Sequence, residues 1–165
     1  DEHTSRGLGD VYKRQNIPNH EYDVIVIGAG GAGLRAAIEA ARSGAKTAII
    51  TKSLLGKAHT VMAEGGCAAA LTNADPRDGW KVHFHDTMKG SKYLADWRMA
   101  ELHAKEAPDR VRELEQWGAV FDRTPSQVIN QRNFGGHTFP RLAHVGDSTG
   151  LEIIRTLQEL SLIHI

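Results

Sequence analysis

Residues Tyr22-Asp-Val-Ile-Val-Ile-Gly-Ala-Gly-Gly-Ala-Gly33 restrict this chain more than any other stretch. Val24 to Ile27 is a short β-branched run without polar alternation, the pattern of a strand covered on both faces in a parallel sheet. A central strand is expected there. Three glycines, Gly28, Gly30 and Gly33, follow at once. Leu34 to Ser43, rich in Ala with Glu and Arg interspersed, then reads as a helix, and Gly44 sits where it would stop. Ala45 to Thr51 supplies a second apolar strand. Strand, glycine turn, helix and strand in this order form a βαβ unit, whose crossover should be right-handed. The expected class is α/β with a parallel central sheet.

The glycines have separate tasks in a Rossmann-like turn. Gly28 permits the tight bend, Gly30 lets backbone approach a pyrophosphate, and Gly33 allows the helix to pack closely on the strand. With Ala29, Gly31 and Ala32 they form a cradle in which amide groups at the helix start meet phosphate charge. The pattern does not choose between NAD and FAD. An acidic residue about 20 positions on would normally take a ribose hydroxyl, but that region reads Thr51-Lys52-Ser53. The missing carboxylate speaks against an ordinary NAD site. Lys52 as a partner for an NADP 2'-phosphate and Lys52 as a solvated strand-end lysine both stay open.

Beyond the unit, Lys52 to Leu71 is rich in Gly and Ala without a sustained period, as expected of a loop with short helical pieces wrapping a ligand. Asn73 to Gly79 is a turn cluster. Trp80 to Lys89 and Asp96 to Ala107 read as helices. Pro108 suits the first turn of another, with Val111, Leu114 and Trp117 on one stripe and Gly118 at its end. Ala119 to Asp122 and Val128 to Gln131, flanking Thr-Pro-Ser, suggest a small hairpin. Thr149 to Glu159 reads as a final helix that Asp147 or Thr149 could cap.

Several blocks in order carry a resemblance. They are Gly28 to Gly33, Thr51-Lys-Ser-Leu-Leu-Gly-Lys-Ala-His-Thr-Val-Met-Ala-Glu-Gly-Gly66, Asp86-Thr-Met-Lys-Gly90, Glu113-Leu-Glu-Gln-Trp-Gly118, Asn130-Gln-Arg-Asn-Phe-Gly-Gly136 and Asp147-Ser-Thr-Gly150. Together they resemble the flavoprotein subunit of succinate dehydrogenase and fumarate reductase. The fold implied is the N-terminal part of a Rossmann-like FAD-binding domain, incomplete within this chain. By the same resemblance, His59 would be joined through a ring nitrogen to the flavin. Imidazole is a suitable nucleophile near neutral pH. Thr51, Lys52 and Ser53 would line the adenosine and pyrophosphate side, which removes most reason to invoke NADP. Gly65 and Gly66 would let the backbone lie against the isoalloxazine, and Thr60, Ala63 and Glu64 would also belong to the cofactor site. Phe134 would stand near a bound dicarboxylate, its alternative being a core phenylalanine.

The activity so implied is interconversion of succinate and fumarate, with electrons passed to an iron-sulfur subunit, then to a quinone through membrane anchor subunits. The location implied is peripheral, on the cytoplasmic side of the membrane. In this family the proton-transferring arginine and the substrate-clamping His and Arg residues lie farther along, so no catalytic acid or base is assigned here. Glu64 and His137 stand where familiar members have Gln, and both bear on substrate contacts more than on flavin binding. An L-aspartate oxidase-like flavoprotein is the alternative enzyme, and it would not need His59. A non-catalytic flavin-binding fragment is the alternative for the chain itself.

Other features bound the reading. Lys+Arg equals Asp+Glu at 20 each, so no overall field attracts nucleic acid. His83 and His85 flank Phe84 without a third ligand nearby, which favours a polar helix face over a metal site. Cys67, between paired glycines and three alanines, suits a small buried residue. The alternating charges from Arg98 to Glu115 suit a solvated face. Finally, Asp10 to Gln15 can be written GAT GTG TAT AAG AGA CAG, whose reverse complement, CTG TCT CTT ATA CAC ATC, encodes Leu160 to Ile165. Ser5 to Gly9 continues the same adapter-like sequence. Residues 1–15 and 160–165 are therefore expected to be non-native, with 16–159 a piece of a longer protein.

Overall fold

A computed structural model describes residues 18–164. The expectation for residues 1–15 lies outside them. Strand β1 (Val24–Ile27) pairs in parallel with β2 (Thr47–Ile50), Val24 opposite Thr47 and Ile27 opposite Ile50. Between them in the chain, α1 (Gly31–Arg42) buries Leu34, Ala37 and Ile38 and packs on both strands. It ends as the sequence suggests. Gly44, at φ +87°, donates to the Ala41 carbonyl at 2.9 Å and Ala45 donates to Ala40 at 3.2 Å, the paired bonds of a Schellman stop.

The expected burial of β1 on two faces is corrected. Val26 faces α1, its side chain 3.5 Å from where a Cβ on Gly33 would stand. Ile25 and Ile27 point the other way, and Ile27 is 86% exposed. No described element covers that face.

Three further helices follow: α2 (Trp80–Gly90), α3 (Trp97–Gln116) and α4 (Thr149–His164). The break expected at Pro108 is absent, since α3 runs through it. Proline removes one backbone bond and crowds the preceding turn. The stripe Ala100, Ala104, Ala107 and Val111 nevertheless stays buried on both sides of it, and this continuous packing outweighs the local cost. Gly118, at φ +101°, and Ala119 close α3 through bonds to Glu115 and Leu114.

A small antiparallel sheet escaped the sequence reading. Its strands β3 (Cys67–Ala68), β4 (Gln131–Arg132) and β5 (Leu142–Ala143) are ordered β3-β5-β4. The expected hairpin is reduced to one pairing, Arg123 opposite Ile129, because Gln131 and Arg132 are taken by β5 instead. Two apolar clusters hold the elements. Val111, Phe121, Ile129 and Ala143 centre one, and Leu34, Ile38, Ile154 and Leu157 the other, with Leu114 bordering both. Helix α4 continues through Leu160 to His164, and Leu160 packs on the second cluster. Among the described residues no helix is long and apolar enough to cross a membrane.

His83 departs from the expected polar face. It is 1% exposed on the inner side of α2, its ring 5.4 Å from His103 and 6.1 Å from His137, whereas His85 is exposed. Among the described residues no metal-ligand cluster forms around either. Cys67 is half-buried, and burial pushes its thiol pKa up.

Candidate functional site

The glycine turn links the ends of β1 and β2. Gly28, at φ +107°, donates to the Ile50 carbonyl at 2.8 Å, and the space beside its Cα is open to 4 Å. A Cβ on Gly33 would overlap the Gly28 carbonyl oxygen, so the close approach of α1 to β1 requires glycine there. Ala29 is buried, while Ala32 is exposed. Thr51, Lys52 and Ser53 are exposed just past β2, at the carboxyl end of the parallel pair, where open α/β sheets receive ligands. The Ser53 hydroxyl donates to the Lys57 carbonyl at 3.3 Å.

His59 to Met62 form one 3-10 turn. The Gly31 N–H donates to Thr60 Oγ1 at 3.1 Å. A Cβ on Gly30 would come to 3.5 Å from Ala58 Cβ, and one on Gly31 to 3.3 Å from Thr60 Cγ2. The turn carrying exposed His59 is thereby seated against the glycine cradle. Helix α4 holds it from behind: Gly150 donates to the Ala63 carbonyl at 2.7 Å, and a Cβ there would overlap the Thr60 carbonyl oxygen.

Glu64, Gly65 and Gly66 lead into β3. Gly66 is at φ +122°, and a Cβ on it would stand 2.9 Å from the Ala143 carbonyl oxygen. From β4, Arg132 donates Nε to the Gly65 carbonyl and Nη2 to the Glu64 carbonyl, both at 2.9 Å, and its Nη1 pairs with Asp147 at 3.1 Å. Planar guanidinium thus locks two consecutive carbonyls in one geometry. Phe134 is 59% exposed, its ring 3.7 Å from where a Cβ on Gly65 would be. Among the described residues it is a surface ring over the glycine loop.

Behind the Phe134 loop lies a buried ionic network. Arg141, fully buried, donates Nη2 to Asp78 at 2.8 Å and Nε to the same carboxylate at 3.2 Å, with Nη2 also 3.0 Å from Asp86. Burial alone would raise the Asp86 pKa, but the Thr138 N–H and hydroxyl and the Arg141 charge hold it below the ordinary value. The neighbouring His83 is pushed down to about 4, by burial first and then by Arg141. His137 is lowered for the same reasons. At the other end of β5, His144 Nδ1 lies 2.9 Å from Asp122 Oδ2.

The structure thus brings Gly28 to Gly33, His59, Thr60 and Ala63 into one unit, and Glu64 to Gly66 with Phe134 into an adjoining one. Arg132, Gly150, Asp86 and Arg141 were not assigned roles from sequence. Arg132, Gly150 and Asp86 fall within the quoted blocks, but their partners are distant in the chain.

A family model described as an FAD binding domain matches residues 23–163, and the chain belongs to that family. Its relatives there include subunits of succinate dehydrogenase and fumarate reductase. Over 141 residues the chain is 48% identical to one subunit of the fumarate reductase (CoM/CoB) of Methanothermobacter marburgensis, covering 85% of this chain and 26% of that protein. Over 160 residues it is 45% identical to the succinate dehydrogenase flavoprotein subunit of Rickettsia felis, covering 92% and 27%. A chain of the Mycobacterium smegmatis Sdh1 complex aligns with TM-score 0.85 and 70% identity, covering 87% of this chain and 24% of that one. The chain therefore spans about a quarter of the length of these relatives.

Proposed function

We propose that this chain belongs to a flavoprotein that interconverts succinate and fumarate through FAD joined covalently to His59. The observation that carries the reading is the Gly31 N–H to Thr60 bond, which unites two segments far apart in sequence into one site. The residues present fit the cofactor: the space beside Gly28 is open, and the tight contacts at Gly33 and Gly66 exclude side chains.

Gly28, Ala29, Gly30, Ala32 and Gly33 approach the pyrophosphate, Gly31 tying the cradle to Thr60. Thr51, Lys52 and Ser53 face the adenosine side. Thr60, Ala63, Glu64, Gly65 and Gly66 flank the ring system, and His59 tethers it. Phe134 faces the dicarboxylate. FAD, when bound, supplies the redox chemistry, while the protein supplies placement and electrostatics. The relatives' names, which describe a flavoprotein subunit and a chain of a complex, support assembly with other subunits; we propose that these are an iron-sulfur subunit and membrane anchors on the cytoplasmic side, with quinone as the electron acceptor.

Anaerobic titration of the purified full-length flavoprotein tests the activity. Succinate should bleach the flavin absorbance and L-aspartate should not. Bleaching by L-aspartate with none by succinate would replace the proposal with an aspartate oxidase-like one.

A further inference from the structure

We infer that Asp86, acting through Thr138, is a positioning residue for Phe134 and so for recognition of the dicarboxylate. The inference rests on the reading that Phe134 faces that substrate. Phe134 is followed by Gly135 and Gly136, the latter at φ +88°, and a Cβ on either glycine would meet nothing within 4 Å. Among the described residues nothing packs on the tip of this loop, so within this chain its ends set where the ring stands. At the leading end, Arg132 lies in β4 and grips the Glu64 and Gly65 carbonyls.

At the trailing end, both donors of Thr138 converge on one carboxylate: the N–H reaches Asp86 Oδ2 at 2.8 Å and the hydroxyl reaches Oδ1 at 2.7 Å. The His137 N–H closes a turn back onto the Phe134 carbonyl at 3.3 Å. Asp86 is itself immobilised, 7% exposed on α2 and 3.0 Å from buried Arg141. A two-point charge-assisted grip fixes both the position and the direction of a chain segment. The path runs from Asp86 to Thr138, through the turn, to Phe134. A glycine-rich loop without that anchor would sample other positions, at a cost to substrate binding more than to later steps.

The test uses the full-length holoenzyme and steady-state succinate oxidation with an artificial electron acceptor. Thr138→Val and Asp86→Asn are expected to raise KM for succinate about tenfold while kcat and flavin content stay within about twofold, and Thr138→Ser to restore the wild-type KM. Where Asp86→Asn does not fold, Thr138→Val alone decides. A wild-type KM in Thr138→Val, or a joint fall of kcat and flavin content with KM unmoved, overturns the inference. Phe134→Leu separates this inference from the reading beneath it. A raised KM there with unchanged Thr138→Val overturns the positioning role alone; an unchanged KM in Phe134→Leu overturns the placement of Phe134 and the inference with it.

Discussion

Gly150 shows how a single residue can hold the site without carrying chemistry. Its Cα lies against the Thr60 carbonyl, and an added Cβ would also come to 2.9 Å from Ala63 N and O. Backbone cannot yield as a flexible side chain can. Gly150→Ala should therefore lower the stability of the chain by roughly 2–4 kcal/mol, read as a lower urea midpoint, and weaken flavin retention in the full-length protein. The role of Gly33 was legible because its partner, Gly28, belongs to the same short motif. That of Gly150 was not, because its partners Thr60 and Ala63 are distant and meet it only through the packing of α4.

His83 supplies a pH dependence. Its pKa falls from 6.5 to about 4 in the folded chain, so the neutral ring is the form that folds. Between those values the unfolded chain binds more protons, and stability is lost as pH falls through that window. His137 acts in the same direction. Chemical unfolding should show the chain weaker at pH 4.5 than at pH 7.5, by up to about 3 kcal/mol from His83. His83→Gln should flatten that difference, although the substitution itself lowers stability at both pH values. The sequence pattern around Phe84 did not show this behaviour, because burial of one histidine and exposure of the other depend on α3 and the Phe134 loop packing on α2.

Among the elements, α2 ends under strain. Tyr93 donates to Met88 at 2.8 Å and Lys92 to Lys89 at 3.1 Å, the bonds of a Schellman stop, but Lys92 stands at φ +54° where glycine is favoured. Lys92→Gly should raise the thermal midpoint, by an amount corresponding to about 0.5–1 kcal/mol. Helix α1 was legible from its Ala-rich composition with interspersed Glu and Arg and from Gly44, and α4 from the helical stretch of Thr149 to Glu159. The continuity of α3 was not, because Pro108 is a valid local stop signal that the Ala100 to Val111 stripe overrides. The sheet β3-β5-β4 has strands of two residues each, too short to show a period of two, and its order arises wholly from non-local pairing.

At the scale of the molecule, the site occupies one edge of a fold whose parallel pair is covered on one face only. Ile25 and Ile50 are each 54% exposed beside Ile27, forming an apolar face that isolated strands of this kind do not leave in water. The 165-residue chain alone should bind a hydrophobic dye strongly and hold flavin weakly. Dye fluorescence no greater than that of a compact globular control would contradict this. The βαβ unit was legible because the glycine turn between strand and helix follows local sequence rules, whereas the proposed flavin segments were reached only through the family resemblance. Arg132 and the Arg141 network obey no local rule, being set by where the small sheet folds back.

The His59 turn and the glycine cradle are proposed to form one site with the flavin bonded to His59. Acid precipitation of the full-length flavoprotein, followed by proteolysis and mass spectrometry, tests it directly. The flavin should remain with the protein and appear as an FAD adduct on the peptide containing His59, and His59→Ser should abolish that adduct. Complete release of flavin into the supernatant from the unmodified protein would contradict the claim.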